Sequence, residues 1–206
     1  MSEPRLFVVS AGEPLEPMMA EAAALIRAGR LVAFPTETVY GLAADAANPA
    51  ALDRLNRVKG RPPEKPYSWH VHDAAQVQAL VGRVSPMAQR LMDRFWPGPL
   101  TIVIPGADGK TIGFRLPQHP VAQAFLRACG RPVVAPSANR SGFPPPTDAK
   151  EVLAALDGDC DGLIDNGPTP LGRESTVVQV LGDQLEILRE GALSSEQISA
   201  VIRENA

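Results

Sequence analysis

Hydrophobic positions follow two different spacings along the chain. In residues 16–29 (EPMMAEAAALIRAG), apolar side chains such as Met18 and Ile26 recur at helical intervals, and Gly29 is placed to end the helix. Residues 31–35 (LVAFP) instead form a short continuous apolar run, which is typical of a buried strand. The two patterns together predict helices that alternate with strands.

Capping residues and prolines mark the starts of further helices. Asn48 and Pro49 supply an N-cap and a first helical residue, and Gly60 ends the helix that they open. Ser194 and Gln197 have capping-box spacing before a last helix. The same kinds of signal predict helices that begin at Asp73, at Ser85 with Pro86 and running to about Phe95, at Pro120, and at Thr147 with Asp148.

Short apolar runs predict the remaining strands, at residues 68–72, 100–104, 111–116, 132–136, 162–165, 175–181 and 184–190. Helices of this frequency must cover the faces of a sheet, so we expect an α/β fold with a mixed β-sheet. The pattern leaves the strand order open.

Composition narrows the class of protein. The 206 residues are 45% hydrophobic and 21% charged, which is ordinary for a chain that buries a core, and no apolar stretch approaches the length of a membrane span. The N-terminal residues MSEPRLFVVS lack a basic region followed by a long apolar run, so we expect no signal peptide. Cys129 and Cys160 lack CxxC spacing, so we expect no disulfide framework or zinc site and a location in the reducing cytoplasm. A net charge of −3 argues against a surface that coats nucleic acid.

Residues 59–66 (KGRPPEKP) place three cations, Lys59, Arg61 and Lys65, among three prolines. Lys59 near a helix C-terminus suits the helix dipole, and a solvated basic loop is one interpretation of the rest. The other is a phosphate site, in which each cation contributes a charge-assisted bond of roughly 1.5–3 kcal/mol. The segment is not a P-loop, because no GxxxxGK[ST] occurs.

Two further segments are candidates for a binding site. Residues 35–43 (PTETVYGLA) follow a buried strand and are either a loop facing a ligand crevice or a polar turn with Tyr40 packed in the core. Arg115 lies inside the apolar run 111–117 (TIGFRLP), where a buried arginine needs an anionic partner. That partner is either an internal Asp or Glu or the carboxylate of a small ligand.

The segment APSANRSG (135–142) follows another apolar strand and presents small polar groups. Ser137 and Asn139 can hydrogen-bond a nucleotide, whereas the absence of a GxSxG motif disfavours a serine nucleophile. His70 and His72 lie two apart on a strand, but two ligands without a third are poor evidence for a metal. These segments together predict a small-molecule site with phosphate and carboxylate anchors.

The segments also carry a resemblance. PTETVYGLA, KGRP with its following KP, GPLT (98–101), FRLP, PSANRSG (136–142) and ESTVV (174–178) occur in this order. Together they resemble the YrdC-like threonylcarbamoyl-AMP synthase family, over about residues 31–191. The resemblance implies a twisted α/β sheet with a concave, positively charged cavity. It also implies the short form of the family, with a single domain over residues 1–206.

The family implies a reaction and its partners. L-threonine, bicarbonate or carbon dioxide, and ATP give L-threonylcarbamoyl-adenylate and diphosphate, with Mg²⁺ held mostly by the nucleotide. A separate transferase complex then passes the threonylcarbamoyl group to the adenosine beside the anticodon in tRNAs that read codons beginning with A. A direct contact with RNA is possible in this scheme, and a membrane has no part in it.

The resemblance also assigns residues. Lys59 and Arg61 match the KxR pair, to which we assign the catalytic neutralisation of the phosphates, and Ser137 and Asn139 match the SxN pair. The expected ATP contacts are Arg61, Lys65, Thr111, Ser137, Asn139, Pro145 and Arg189. The expected threonine contacts are Thr38, His70, Arg115, Ser175 and the backbone at Ala135. No residue is expected to hold a metal by itself.

The chain departs from the family pattern in two places. Pro145 stands in a segment where the family usually has a small polar residue, and it offers neither a hydroxyl nor an N–H to ATP. Tyr67 and Trp69 stand where smaller aliphatic residues are common. Two alternatives stay open: an RNA-binding module of the same fold without synthase activity, and an enzyme that uses another carbamoyl or acyl donor.

Overall fold

A computed structural model describes residues 3–62 and 65–203, which leaves Pro63 of the KGRPPEKP segment outside the described residues. Its helices are named in chain order. They are α1 (Leu15–Arg27), α2 (Pro49–Lys59), α3 (Ala75–Val81), α4 (Pro86–Phe95), α5 (Pro120–Cys129), α6 (Ala149–Leu156) and α7 (Ser195–Arg203).

The strands of the described residues form one mixed sheet. They are β1 (Arg5–Val8), β2 (Val32–Phe34), β3 (Gly41–Asp45), β4 (Trp69–His70), β5 (Leu100–Pro105), β6 (Thr111–Arg115), β7 (Val133–Val134), β8 (Gly162–Asp165), β9 (Thr176–Leu181) and β10 (Gln184–Arg189). Their order across the sheet is β1-β8-β2-β3-β7-β4-β6-β5-β9-β10. Parallel pairs such as β4 with β6 lie beside antiparallel pairs such as β5 with β6, so the predicted mixed α/β fold is confirmed.

Most predicted helix signals act as expected, but α3 has Ala74 and not the predicted Asp73 as its N-cap. The Asn48 side chain accepts a hydrogen bond from the Ala51 N–H, and Gly60 adopts the left-handed conformation after α2, with φ 57°. The Ser194 N–H donates to the side chain of Gln197, whose own N–H donates to the Ser194 hydroxyl. This reciprocal pair is the predicted capping box at α7.

The sequence analysis did not predict two of the strands, β1 and β3. β1 contains the short apolar run at residues 6–9 (LFVV), which was not assigned to a strand; it lies at the sheet edge and exposes Leu6 and Val8. β3 includes residues 41–43, which the sequence assigned to a loop or polar turn; that assignment is wrong for them. All five residues of β3 are buried between β2 and β7, so no alternation with polar residues reveals the strand.

Helices cover both faces of the β2, β3 and β8 region. Alternate residues of β2 point to opposite sides: Val32 and Phe34 pack toward α1 and α5, whereas Ala33 packs toward α2 and α6. A third cluster joins α4 and α7 to β5, β6 and β9. Both cysteines are free and buried in the first two clusters, and burial raises the pKa of Cys129 to about 12 and that of Cys160 to about 11.

Within residues 3–62 and 65–203, the helices are too short or too polar to cross a membrane.

Candidate active site

A cavity of about 320 Å³ opens over the middle strands of the sheet. Its walls come from β4, β5 and β6, from the start of β9 and the end of β10, and from the segments that follow β2, α2 and β7. The predicted site residues that line it are Arg61, His70, Thr111, Arg115, Ala135, Ser137, Ser175 and Arg189. The sheet therefore brings together residues that lie more than a hundred positions apart in the sequence.

The strand order explains how four of the expected threonine contacts meet. Ala135 follows β7, His70 ends β4, Arg115 ends β6, and Ser175 precedes β9. The strands β7, β4 and β6 are direct neighbours, and β5 separates them from β9. His70 and Arg115 are register partners in the parallel pair of β4 and β6, so their Cα atoms lie side by side.

Other predicted residues lie outside the cavity lining. Thr38 is fully buried and its hydroxyl shares a 2.8 Å hydrogen bond with that of Thr36, which does line the cavity. Lys65 is exposed. Pro145 lies in a separate groove of about 680 Å³ with Phe143 and α6.

Asn139 supports the loop after β7 instead of facing the cavity. It is buried, and its side-chain N–H groups donate to the carbonyls of Arg140 and Phe143, the latter at 2.6 Å. Its amide thus holds the turn that follows Ser137.

Lys59 is also buried, with 3% of its surface exposed. Its ammonium donates to the carbonyls of Ser137 and Asn139, and its own carbonyl accepts the Ser141 N–H at 2.8 Å. Burial, with a smaller contribution from Arg61, lowers the pKa of Lys59 to about 8. The end of α2 is thereby tied to the loop that carries the SxN pair.

Arg115 has an internal anionic partner. Its Nη2 lies 2.9 Å from Oε1 of Glu37, and both side chains are more than nine-tenths buried. The pair is close but poorly directed, since neither Glu37 oxygen nor Arg115 Nη2 makes a well-aligned hydrogen bond. The guanidinium also lines the cavity, so both interpretations of Arg115 remain physically compatible: Glu37 balances its charge while other N–H groups face a ligand.

His70 is buried at the floor of the cavity, with its ring edge-on to Phe34 at 6.1 Å. Burial first, and then the positive charge of Arg115, lower the pKa of His70 to about 3. The imidazole is therefore neutral at physiological pH and offers hydrogen bonds without charge.

The cavity wall near β9 is a hydrogen-bonded network. Arg189 Nη1 lies 2.9 Å from Glu174 Oε1, and Arg189 Nη2 donates to the Ser175 carbonyl at 2.9 Å. The Ser175 hydroxyl shares a 2.9 Å hydrogen bond with that of Thr101. These bonds hold the hydroxyl of Ser175 at the cavity surface.

Sequence reasoning missed several lining residues, among them Thr36, Tyr40, Thr101 and Glu174. Thr36 and Tyr40 lie within the segment 35–43, where the polar side chains were the available signal. Thr101 and Glu174 lie in the motifs GPLT (98–101) and ESTVV (174–178), but neither side chain was assigned a role there. His119 caps α5, because its Nδ1 accepts a 3.4 Å hydrogen bond from the Ala122 N–H. Within the described residues no group of three metal-ligating side chains occurs.

The structure is thus an α/β protein with arginine and hydroxyl side chains around one cavity. A family model described as Sua5/YciO/YrdC, telomere recombination, matches residues 24–191. A Bacillus subtilis (strain 168) protein named threonylcarbamoyl-AMP synthase is 45% identical over 197 residues, which cover 91% of this chain and 57% of that protein. The chain belongs to the Sua5/YciO/YrdC family.

A second relative and a solved structure also match most of this chain. A protein named threonylcarbamoyl-AMP synthase from Pyrococcus abyssi (strain GE5 / Orsay) is 41% identical over 192 residues, covering 89% of this chain and 56% of that protein. The crystal structure of P. abyssi Sua5 complexed with L-threonine matches with a TM-score of 0.89 and 38% identity, over 98% of this chain and 61% of that one. The chain thus spans a little more than half the length of these relatives.

Proposed function

We propose that this protein is an L-threonylcarbamoyl-adenylate synthase, which converts L-threonine, bicarbonate or carbon dioxide, and ATP into L-threonylcarbamoyl-AMP and diphosphate. The observation that carries the proposal is the meeting of Arg61, Arg115 and Arg189 with a neutral histidine in one cavity. The relatives named threonylcarbamoyl-AMP synthase support it.

L-threonine would lie at the His70 and Arg115 end of the cavity. The guanidinium of Arg115 would bind the carboxylate, since a fork of N–H donors matches its geometry. Neutral His70 and the Ser175 hydroxyl would hydrogen-bond the rest of the amino acid, with the backbone at Ala135 closing the wall. Thr38 would act through Thr36, to which its hydroxyl is bonded.

The phosphates of ATP would lie against Arg61 and Arg189, with Thr111 and Ser137 as hydroxyl donors. Lys65, Asn139 and Pro145 lie outside the lining and would reach the nucleotide only if the segments that carry them move inward. Lys59 keeps its assigned catalytic role in the proposal. Its ammonium would act on the phosphates from beneath the Ser137 loop, which it already holds.

The reaction needs like charges to come together. The threonine amine adds to carbon dioxide, and the loss of a proton leaves a carbamate. A carbamate oxygen then forms a bond to the α-phosphorus, and the bond to diphosphate breaks. Arginines fixed before substrates arrive would lower this barrier by proximity and by stabilising the developing negative charge.

Magnesium would accompany the nucleotide. Among the described residues of the cavity lining, the acidic side chain is Glu174, which already pairs with Arg189, so these residues supply too few oxygens for a site of their own. This donor set fits an ion held mainly by phosphates and water, with Glu174 as the available protein ligand. When bound, Mg²⁺ would neutralise part of the triphosphate charge.

The product would serve tRNA modification in the cytoplasm. A transferase complex would take the threonylcarbamoyl group from the adenylate and pass it to the adenosine beside the anticodon in tRNAs that read ANN codons. Two free, buried cysteines are consistent with a reducing compartment.

The test is diphosphate release with each substrate omitted in turn, combined with detection of the adenylate by mass spectrometry. Release should require L-threonine, bicarbonate and ATP together. Arg61→Ala should reduce it by on the order of 10²-fold, by analogy with the loss of one preorganised charged contact. Diphosphate release that ignores threonine would contradict the proposal, and salt-sensitive RNA binding without release would favour the RNA-binding alternative.

A further inference from the structure

The end of α2 fixes the place where Arg61 leaves the helix. Gly60 is left-handed, its N–H donates to the Arg57 carbonyl, and the Arg61 N–H donates to the Asn56 carbonyl at 3.0 Å. This pair of bonds is a Schellman motif, which satisfies the last carbonyls of the helix. The backbone of Arg61 is therefore set by α2 before any ligand binds.

The guanidinium of Arg61 is held as well. Its Nη2 donates to the Pro66 carbonyl at 2.8 Å, and its Cζ lies 4.8 Å from the centre of the Tyr67 ring. An arginine at this distance from an aromatic face is attracted by the negative charge on that face. Arg61, Pro66 and Tyr67 all line the cavity, so the ring and the carbonyl orient the guanidinium at its wall.

The Tyr67 ring is itself anchored. Its hydroxyl donates to Oδ1 of Asn56 at 2.7 Å, and the ring packs against the core cluster around α2 and α6. Asn56 thus fixes both partners, holding the Arg61 backbone by its carbonyl and the Tyr67 ring by its side chain. Partial burial raises the pKa of Tyr67, so the hydroxyl keeps its proton and stays a donor.

Neither function of Tyr67 is open to an aliphatic residue. A leucine at this position can fill the same space against the core, but it has no aromatic face for the guanidinium and no hydroxyl for Asn56. We propose that Tyr67 is a positioning residue: anchored on Asn56, it holds the guanidinium of Arg61 toward the cavity and so sets the affinity for ATP. The identity of the ligand rests on the proposed function.

The test is a double-mutant cycle on ATP binding. By calorimetry, Tyr67→Leu should raise the Kd for ATP roughly two- to fivefold, which corresponds to a cation–π contact of about 0.5–1 kcal/mol. Tyr67→Phe keeps the ring and should lose less. In an Arg61→Ala background, Tyr67→Leu should have almost no further effect.

Two readouts separate positioning from a general structural role. The Kd for L-threonine should stay unchanged in Tyr67→Leu, and the KM for ATP should rise by more than kcat falls. Equal losses for both ligands, or an undiminished effect of Tyr67→Leu without Arg61, would overturn the proposal. If Tyr67→Leu does not fold, Asn56→Ala carries the test, because it removes the acceptor of the hydroxyl and should weaken ATP binding in the same direction.

The outcomes distinguish this proposal from the proposed function. A wild-type protein that binds ATP but never forms the adenylate would contradict synthase activity, while the cycle on ATP binding still decides the role of Tyr67. A wild-type protein that makes the adenylate and shows additive effects at residues 61 and 67 would overturn only the role of Tyr67. A wild-type protein that binds neither ATP nor inorganic triphosphate would overturn both the proposed function and the role of Tyr67.

Discussion

At the scale of the residue, burial governs the protonation of His70. Its pKa of about 3 lies below the ordinary value near 6.5, so between these pH values the unfolded chain binds a proton that the folded chain does not. The stability that neutral His70 contributes is complete above pH 6.5 and is lost as the pH falls toward 3, by about 1.4 kcal/mol per pH unit.

His70→Asn should therefore flatten the acid side of the stability profile. Urea unfolding at several pH values between 3.5 and 7 measures the slope. His72→Asn is the matched control, because His72 is less buried and should leave most of the slope in place. A His70→Asn protein with the wild-type slope would contradict the burial argument.

The Arg115–Glu37 pair makes a separate prediction. Arg115→Gln should weaken L-threonine binding far more than ATP binding, and it should cost about 3–5 kcal/mol of unfolding free energy because Glu37 is left buried and unpaired. The double variant Arg115→Gln/Glu37→Gln removes both charges and should recover stability without recovering threonine binding. Calorimetry and urea unfolding measure the two effects, and equal losses for both ligands would remove Arg115 from the carboxylate role.

Single residues also show where sequence reasoning stops. The chemistry of Lys59, Arg61 and Arg115 predicted anion-binding groups, and Arg61 and Arg115 do line the cavity. The partners of Lys59 are carbonyls at positions 137 and 139, which a local pattern cannot connect to a lysine so far away in sequence. Its role at the phosphates stays a prediction.

At the scale of the element, the left-handed cap of α2 is open to a direct test. An alanine at Gly60 would meet no neighbouring atom, so its cost is conformational and should be roughly 1–2 kcal/mol. Gly60→Asn is the control, since asparagine tolerates this conformation better. Urea unfolding should rank wild type above Gly60→Asn and Gly60→Ala last, and ATP affinity should follow the same order because the cap places Arg61. A Gly60→Ala protein as stable as the wild type would contradict this account.

Terminal signals predicted helices and apolar runs predicted most strands, but two strands were not predicted. Proline and a capping side chain mark the starts of α2 and α4, and both begin where the sequence indicates. β1 and β3 are the two, of which one lies at an exposed edge and the other is buried throughout. Their existence depends on pairing with β8, β2 and β7, which is a property of the tertiary structure.

At the scale of the whole molecule, the order of strands creates the cavity. Periodicity predicted a mixed sheet, but placing His70 beside Arg115 requires β4 and β6 to pair across more than forty intervening residues. From the sequence, only the motif resemblance placed His70 and Arg115 together, because it assigned both to the threonine site. Eight of its assigned residues line the cavity, whereas the positions of Thr38, Asn139 and Pro145 depend on packing that motifs do not encode.

Because the cavity joins distant strands, ligands should stabilise the whole fold. At a hundred times its Kd, ATP or L-threonine alone should each add about 2.7 kcal/mol to the unfolding free energy, as mass action requires. Thermal unfolding with each ligand measures the shift. Arg115→Gln should lose the shift from threonine and keep that from ATP, and a wild-type protein that shifts with neither ligand would contradict the assignment of the cavity.

The two buried thiols make the chain a convenient background for site-directed labelling. With pKa values of about 12 and 11, Cys129 and Cys160 stay protonated at neutral pH and should resist maleimides and mild oxidants. A cysteine engineered at Leu188, which is half exposed on the cavity wall, would then be the fast-reacting thiol of the described chain. A fluorophore attached there would report on occupancy in real time, with both native cysteines left in place.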